Sequence, residues 1–164
     1  MSNNPEAPVK LIQYDVLPDH VVGLVEALKN LGGVADPLYI GDVTGESIEA
    51  FPKAIDAAEA LGLVKYESGY VRLTELGVRV AEADAKRLRK ILKESVISNK
   101  VEPLYTVYKV LKEKKVISIE ELKSIAKKFW GTEKEEAIKN LILWGVYLGL
   151  FKLSPDNTQI ILSR

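Results

Sequence analysis

The chain has no cysteine in its 164 residues and only one histidine, His20. The first absence excludes disulfides, thiolate metal sites and thiol nucleophiles. The second excludes any metal motif built on paired imidazoles. No apolar run approaches the roughly 18 residues of a membrane helix. The start, Met1-Ser2-Asn3-Asn4-Pro5, has neither a basic stretch nor an apolar run, so no signal peptide is expected. The phosphate-cradling pattern Gly-x-x-x-x-Gly-Lys-Ser/Thr occurs nowhere; Gly32-Gly33, Gly41 and Gly45 lack its spacing and its lysine, and read as helix stops. Net charge is also lacking, with 23 basic residues against 23 acidic ones. What remains is 47% hydrophobic and 28% charged, enough apolar material for one domain or two small ones. A cytoplasmic protein with no cofactor is the expectation.

The zero net charge hides two opposed halves. Residues 1–82 carry six basic and thirteen acidic side chains, net −7; residues 83–164 carry seventeen and ten, net +7. Opposite halves attract each other or outside partners, although solvated surfaces of two domains would look the same.

Periodicity predicts a mainly α chain with short β-hairpins, arranged as one unit used twice. Residues 1–17, with Pro5, Pro8 and Pro18 at their end, read as a flexible arm in which Val9-Lys10-Leu11-Ile12 could dock or form a strand. A helix follows from Pro18 to Leu31. Leu38-Tyr39-Ile40 is a short apolar stretch ended by Gly41 and Gly45. Ser47 is expected to cap a third helix, with Phe51, Ala54, Ile55, Ala58 and Leu61 inward and Pro52 bending or delaying its start. Leu63–Tyr66 and Tyr70–Leu73 flank Glu67-Ser68-Gly69 as a hairpin. Thr74 is expected to cap one long helix to about Ile97, striped by Leu76, Val80, Ala83, Leu88, Leu92 and Val96. That stripe either packs inside the chain or drives a homodimer.

The second half repeats the order: a helix over about 102–114, an extended Val116-Ile117, and a helix capped by Ser118 with Glu121 completing the capping box. A third helix starts at Gly131-Thr132. A hairpin then runs through 150–153 and 159–162. Leu61-Gly62-Leu63-Val64-Lys65 aligns with Leu148-Gly149-Leu150-Phe151-Lys152, and the same offset pairs Ala58 with Gly145. Three helices and a hairpin make a winged helix, a helix-turn-helix variant. The expected boundaries are an arm at 1–17, a first unit at 18–73, a connecting helix at 74–97 and a second unit at 98–164.

Several stretches resemble a known family. They are Leu24-Val25-Glu26-Ala27-Leu28 with Gly32-Gly33, Ala35-Asp36 with Leu38-Tyr39, Ala60-Leu61-Gly62-Leu63, Leu73-Thr74-Glu75-Leu76-Gly77, Ala81-Glu82-Ala83-Asp84 and Trp144-Gly145-x-Tyr147-x-x-Leu150-Phe151. From about Val22 to Leu162 the chain is similar to the AAA-associated C-terminal domain. That domain follows the ATP-binding cassette in some importer ATPases of the nitrate/sulfonate/taurine type and also occurs alone. The resemblance implies a non-catalytic regulatory or interaction module, serving a transporter ATPase in trans because the phosphate loop is missing. It names no ligand.

Candidate contact residues fall into three groups. Lys86, Arg87, Arg89, Lys90 and Lys93 crowd one helix, while Lys123, Lys127 and Lys128 end another; these could meet phosphates or an acidic protein face. Lysines 109, 112, 114 and 115 end a further helix, where the helix dipole alone would favour them. Glu46, Glu49, Asp56 and Glu59 make an acidic face on the first unit's third helix, with Lys53 beside them. Trp130 is the candidate aromatic contact, Trp144 a core residue, and Tyr105, Tyr108 and Tyr147 candidate groove residues. His20 beside Asp19 could shuttle a proton but lacks companion ligands. A DNA-binding regulator is the alternative function. Against it, the two third helices offer acids (Glu133, Glu135 and Glu136 in the second) and few base readers, with Lys134, Lys139 and Asn140 the exceptions.

Overall fold

The computed structural model describes residues 8–44 and 50–164. Among them, helices α1 (Pro18–Asn30), α2 (Pro37–Thr44) and α3 (Ala50–Ala60) precede the hairpin β2 (Val64–Glu67) and β3 (Tyr70–Leu73), with β1 (Val34–Ala35) between α1 and α2. After α4 (Glu75–Glu82) and α5 (Ala85–Asn99) the same order returns. It comprises α6 (Leu104–Lys114), β4 (Val116–Ser118), α7 (Ile119–Trp130), α8 (Glu135–Tyr147), β5 (Phe151–Leu153) and β6 (Gln159–Leu162). The chain is thus mainly helical with small antiparallel sheets, as its periodicity predicts.

Each half holds a three-stranded sheet of identical order, β1-β3-β2 and β4-β6-β5. In both, the strand after the first helix pairs with the second strand of the hairpin: Val34 with Arg72, and Ile117 with Ile160. The Leu-Gly-Leu anchor is a pair of matching helix ends. Gly62 and Gly149 sit at φ +77° and +71°. Leu63 N–H donates to Ala58 O and Leu150 N–H to Gly145 O, both at 2.9 Å, and Gly62 N–H to Glu59 O and Gly149 N–H to Val146 O, at 2.9 and 3.1 Å. This double bond pattern closes a helix onto a left-handed residue, which glycine adopts without strain.

The Leu73–Gly77 run is likewise structural. Thr74 Oγ1 accepts from Gly77 N–H at 3.0 Å and donates to Gly62 O at 2.6 Å. A Cβ on Gly77 would lie 2.1 Å from Leu63 O, so only glycine lets α4 approach the helix end this closely.

Four sequence expectations are corrected. Leu38-Tyr39-Ile40 lies in helix α2, because Asp36 Oδ1 accepts from Leu38 N–H at 2.9 Å and Pro37 takes the first helical position. Gly41 is therefore inside a helix, not a stop; Gly45, Glu46, Ser47 and Glu49 lie outside the described residues.

The long helix at 74–97 is two helices. Ala83 and Asp84 are extended, and Asp84 Oδ1 caps α5 by accepting from Arg87 N–H at 2.8 Å. Gly131 ends α7 at φ +68° rather than opening α8, which begins at Glu135.

The described part of the arm, residues 8–17, is docked. Leu11 bridges Glu102 in parallel, Ile12 N–H donates to Glu102 O at 3.0 Å and Glu102 N–H to Lys10 O at 2.8 Å. Ile12 and Val16 are each only 1% exposed, since their side chains add to the common core.

The α4–α5 stripe is also consumed internally: Val80, Leu88, Leu92 and Val96 are buried, and Leu76 and Ala83 half-buried. It leaves no apolar face to motivate a homodimer. Ser95 Oγ donates to Leu61 O and accepts from Asn99 Nδ2 at 3.1 Å, tying α5 to the end of α3.

Candidate interaction surfaces

The basic residues separate into distinct sites. Capping by Asp84 starts α5 at Ala85, which puts Lys86, Arg89, Lys90 and Lys93 on one side at spacings of three and four. With Val146, Tyr147, Leu148 and Gly149 from the end of α8 they line a groove of about 500 Å³. Lys93 Nζ donates to Gly149 O at 3.4 Å, and the Arg89 guanidinium lies 5.7 Å from the centre of the Tyr147 ring. Burial pushes the Tyr147 hydroxyl above its ordinary pKa, while nearby Arg89 pulls the other way and Asp19 adds to the rise. None of the four cations makes an ion pair among the described residues.

Arg87 is not part of this groove; it faces Arg79, Glu82 and Ala83 in a separate depression. On α7, Lys123 pairs with Glu120 at 3.4 Å and Lys128 stands 5.4 Å over the Phe129 ring. Lys127 and Lys128 lie in that helix's last turn, and Lys112 and Lys114 in the last turn of α6. There the carbonyl end of the dipole favours cations, so structure alone accounts for them. Lys114 pairs with Glu121 at 3.0 Å and holds its carboxyl below the usual carboxylate range; Lys109 and Lys112 lie over Tyr105 and Tyr108, at 5.3 and 5.8 Å.

Both tryptophans are spent on the arm. Trp130 Nε1 donates to Ile12 O and Trp144 Nε1 to Val16 O, each at 2.7 Å. Asn140 Nδ2 donates to Tyr14 O at 2.9 Å. Three side-chain donors therefore hold carbonyls at positions 12, 14 and 16, across a turn in which Val16 N–H donates to Gln13 O at 3.1 Å. Trp130 also meets the Tyr14 ring edge-on at 6.2 Å between centres, and Lys134 donates to Tyr14 Oη at 2.7 Å. Trp130, the aromatic contact expected from sequence, and Asn140, the lone amide reader, are thus engaged by the chain itself. No local sequence pattern links residue 12 to residue 130, so nothing short of tertiary structure could find this strap.

On the first half, Asp56 and Glu59 are exposed on α3. Partial desolvation of the carboxyl where α3 neighbours crowd it, and secondarily the charge of Glu59, raise the Asp56 pKa. Glu59 Oε2 accepts from Tyr66 N–H at 3.1 Å, and Lys53 is bound to Asp15 of the arm at 2.6 Å. Asp56 also borders an apolar hollow of about 250 Å³ with Pro37, Phe51, Pro52, Ile55 and Tyr66. Glu46 and Glu49, the other expected members of the acidic face, lie outside the described residues.

A further cleft, of about 620 Å³, mixes Lys123 and Lys139 with Glu133 and Glu135 over an apolar base. His20 is half-buried, and its Nδ1 accepts from Leu17 N–H at 3.0 Å at the start of α1. Among the described residues no three His, Asp or Glu side chains cluster to hold a metal ion, and no helix is long and apolar enough to cross a membrane.

No curated protein and no solved structure matches the chain. A family model does, over residues 38–154, from the start of α2 to just past β5. The matched span takes in the glycine-closed helix ends, the Leu73–Gly77 turn, the Ala83-Asp84 break and the Trp144–Phe151 segment, so the chain belongs to the C-terminal AAA-associated domain family.

Proposed function

We propose that these residues form a non-catalytic interaction and regulatory module, built from two winged-helix units, that serves an ABC-type transporter ATPase. Membership of the C-terminal AAA-associated domain family carries this reading. The sequence has no phosphate loop, so the nucleotide site of that ATPase lies outside these 164 residues. A cytoplasmic location follows from that partner. The duplicated element order and the matching strand orders support units at 18–73 and 98–164, with α4 and α5 between them and residues 8–17 of the arm strapped to the second.

The DNA-regulator alternative draws less support. The outer side of α3 presents Asp56 and Glu59, which repel phosphates, and Asn140 is committed to Tyr14. The test is affinity capture of the tagged chain from its source cells, with calorimetry alongside. An importer-type ATPase should be enriched, and the isolated chain should bind no ATP at micromolar concentrations. A discrete DNA footprint at near-physiological salt, weakened by Asn140→Ala, with no ATPase captured, would replace this reading with the alternative.

A further inference from the structure

The basic cluster on α5 sits where helix physics disfavours it. Lys86, Arg87, Arg89 and Lys90 fall within the first six residues of Ala85–Asn99, and the first turn holds no acid. The amino end of a helix is its positive pole, so Lys86 and Arg87, in the first turn behind the Asp84 cap, gain nothing from the dipole. The cations that end α6 and α7 have the opposite placement and need no further cause. Among the described residues no carboxylate forms an ion pair with Lys86, Arg89, Lys90 or Lys93. A cluster of four cations without an ion-pair partner among the described residues, around a groove, is a surface suited to an external anion.

The groove narrows the choice. Its wall from α8 is apolar: Val146 is 48% exposed, and Tyr147 and Leu148 lie beside it. Phosphates gain nothing from such a wall. The Tyr147 face is covered by Arg89, so it offers no platform for stacked bases. The run of cations from Lys86 to Lys93 is short, eight residues or about 10 Å of helix. Asp84 and Glu94, both exposed, flank it in sequence, so the positive stretch does not extend along the helix.

We propose that this groove docks a short acidic amphipathic helix of a protein partner, its carboxylates at helical spacing on Lys86, Arg89 and Lys90 and an apolar side chain against Val146. The proposal rests on the interaction-module reading and names the surface it uses.

The test uses the full chain and a fluorescent peptide of about twelve residues, Glu and Leu at helical spacing. Its Lys-for-Glu counterpart, a DNA duplex of about twenty base pairs and anionic phospholipid vesicles run in parallel. The acidic peptide should bind. Lys86→Glu with Lys90→Glu should weaken it about tenfold, and Val146→Asp should weaken it as well. Lys127→Glu with Lys128→Glu changes net charge equally and should leave affinity within about twofold. Circular dichroism of each variant excludes misfolding.

Equal losses in both double variants would reduce the effect to net charge and overturn the proposal. So would no peptide binding, or tighter binding of DNA or vesicles through the same lysines. Capturing the ATPase equally well with Lys86→Glu/Lys90→Glu would overturn this surface while leaving the interaction-module reading intact; capturing none with the unmodified chain would defeat that reading itself.

Discussion

Gly145 and Ala58 occupy equivalent places in the two halves, and their partners differ in compensation. A Cβ on Gly145 would lie 1.9 Å from Phe151 Cζ, and Phe151 is 1% exposed with no room to retreat. At the matching positions of the first half stand Ala58 and Val64, both buried. The larger ring has displaced a methyl. Gly145→Ala should therefore cost about 1–3 kcal/mol by overpacking, read as a lower urea midpoint at unchanged slope. Adding Phe151→Val should recover part of the loss, so the pair is non-additive.

Asp156 illustrates the other kind of residue effect. Its Oδ1 accepts from Ser154 Oγ and Thr158 Oγ1, each at 2.7 Å, and these bonds, with Thr158 N–H at 3.2 Å, hold its carboxyl below the usual range. A lowered folded pKa contributes stability that is present above the unfolded value and lost as pH falls through the folded one. The Thr158 amide, measured against its intrinsic exchange rate, should be protected at neutral pH, lose that protection as pH falls below the usual carboxylate range, and lack it at both pH values in Asp156→Ala.

At the scale of elements, the arm is the part whose role changed most between sequence and structure. Its prolines and lack of periodicity read as flexibility. Its carbonyls at 12, 14 and 16 are nevertheless held by Trp130, Asn140 and Trp144. Trp144 is 2% exposed and Val16 1%, so Trp144→Phe strands a buried carbonyl and should cost about 1–3 kcal/mol. Trp130→Phe should cost less, because Trp130 is half-buried and water can replace its bond. Hydrogen exchange at Ile12, whose N–H donates to Glu102 O, should quicken in both variants and more in the first. The break between α4 and α5 belongs to the same scale. The apolar stripe runs straight across it, and the only local sign is Asp84, an N-cap residue set inside an apparently continuous helical pattern.

For the whole molecule, the apolar surface that sequence offered for self-association is already used. Leu92 and Val96 are fully buried in the single chain, within a core cluster that also takes in Ile12, Leu28, Leu104 and Trp144. Light scattering on these residues should report a monomer at tens of micromolar, where a typical specific dimer would already form. Asp56 and Glu59 are exposed on α3, and Lys86, Arg89 and Lys90 on α5. They are not paired with each other among the described residues.

Features coded within a few residues were legible beforehand. The capping box at Ser118 and Glu121, the two hairpins, the Leu-Gly-Leu helix ends and the family itself depend on short spacings that local hydrogen bonding enforces. The equivalence of Ala58 with Gly145 was legible too, because a repeat preserves register. Tertiary structure alone decided the rest. Whether an indole N–H meets solvent or the carbonyl of a residue 118 or 128 positions away depends on where two remote segments are packed, and no local pattern carries that distance. Charge follows the same rule: sequence counted five cations on one stretch of α5, but only the nearness of residues 146–149 at the end of α8 set four of them around a groove, with Arg87 in a separate depression.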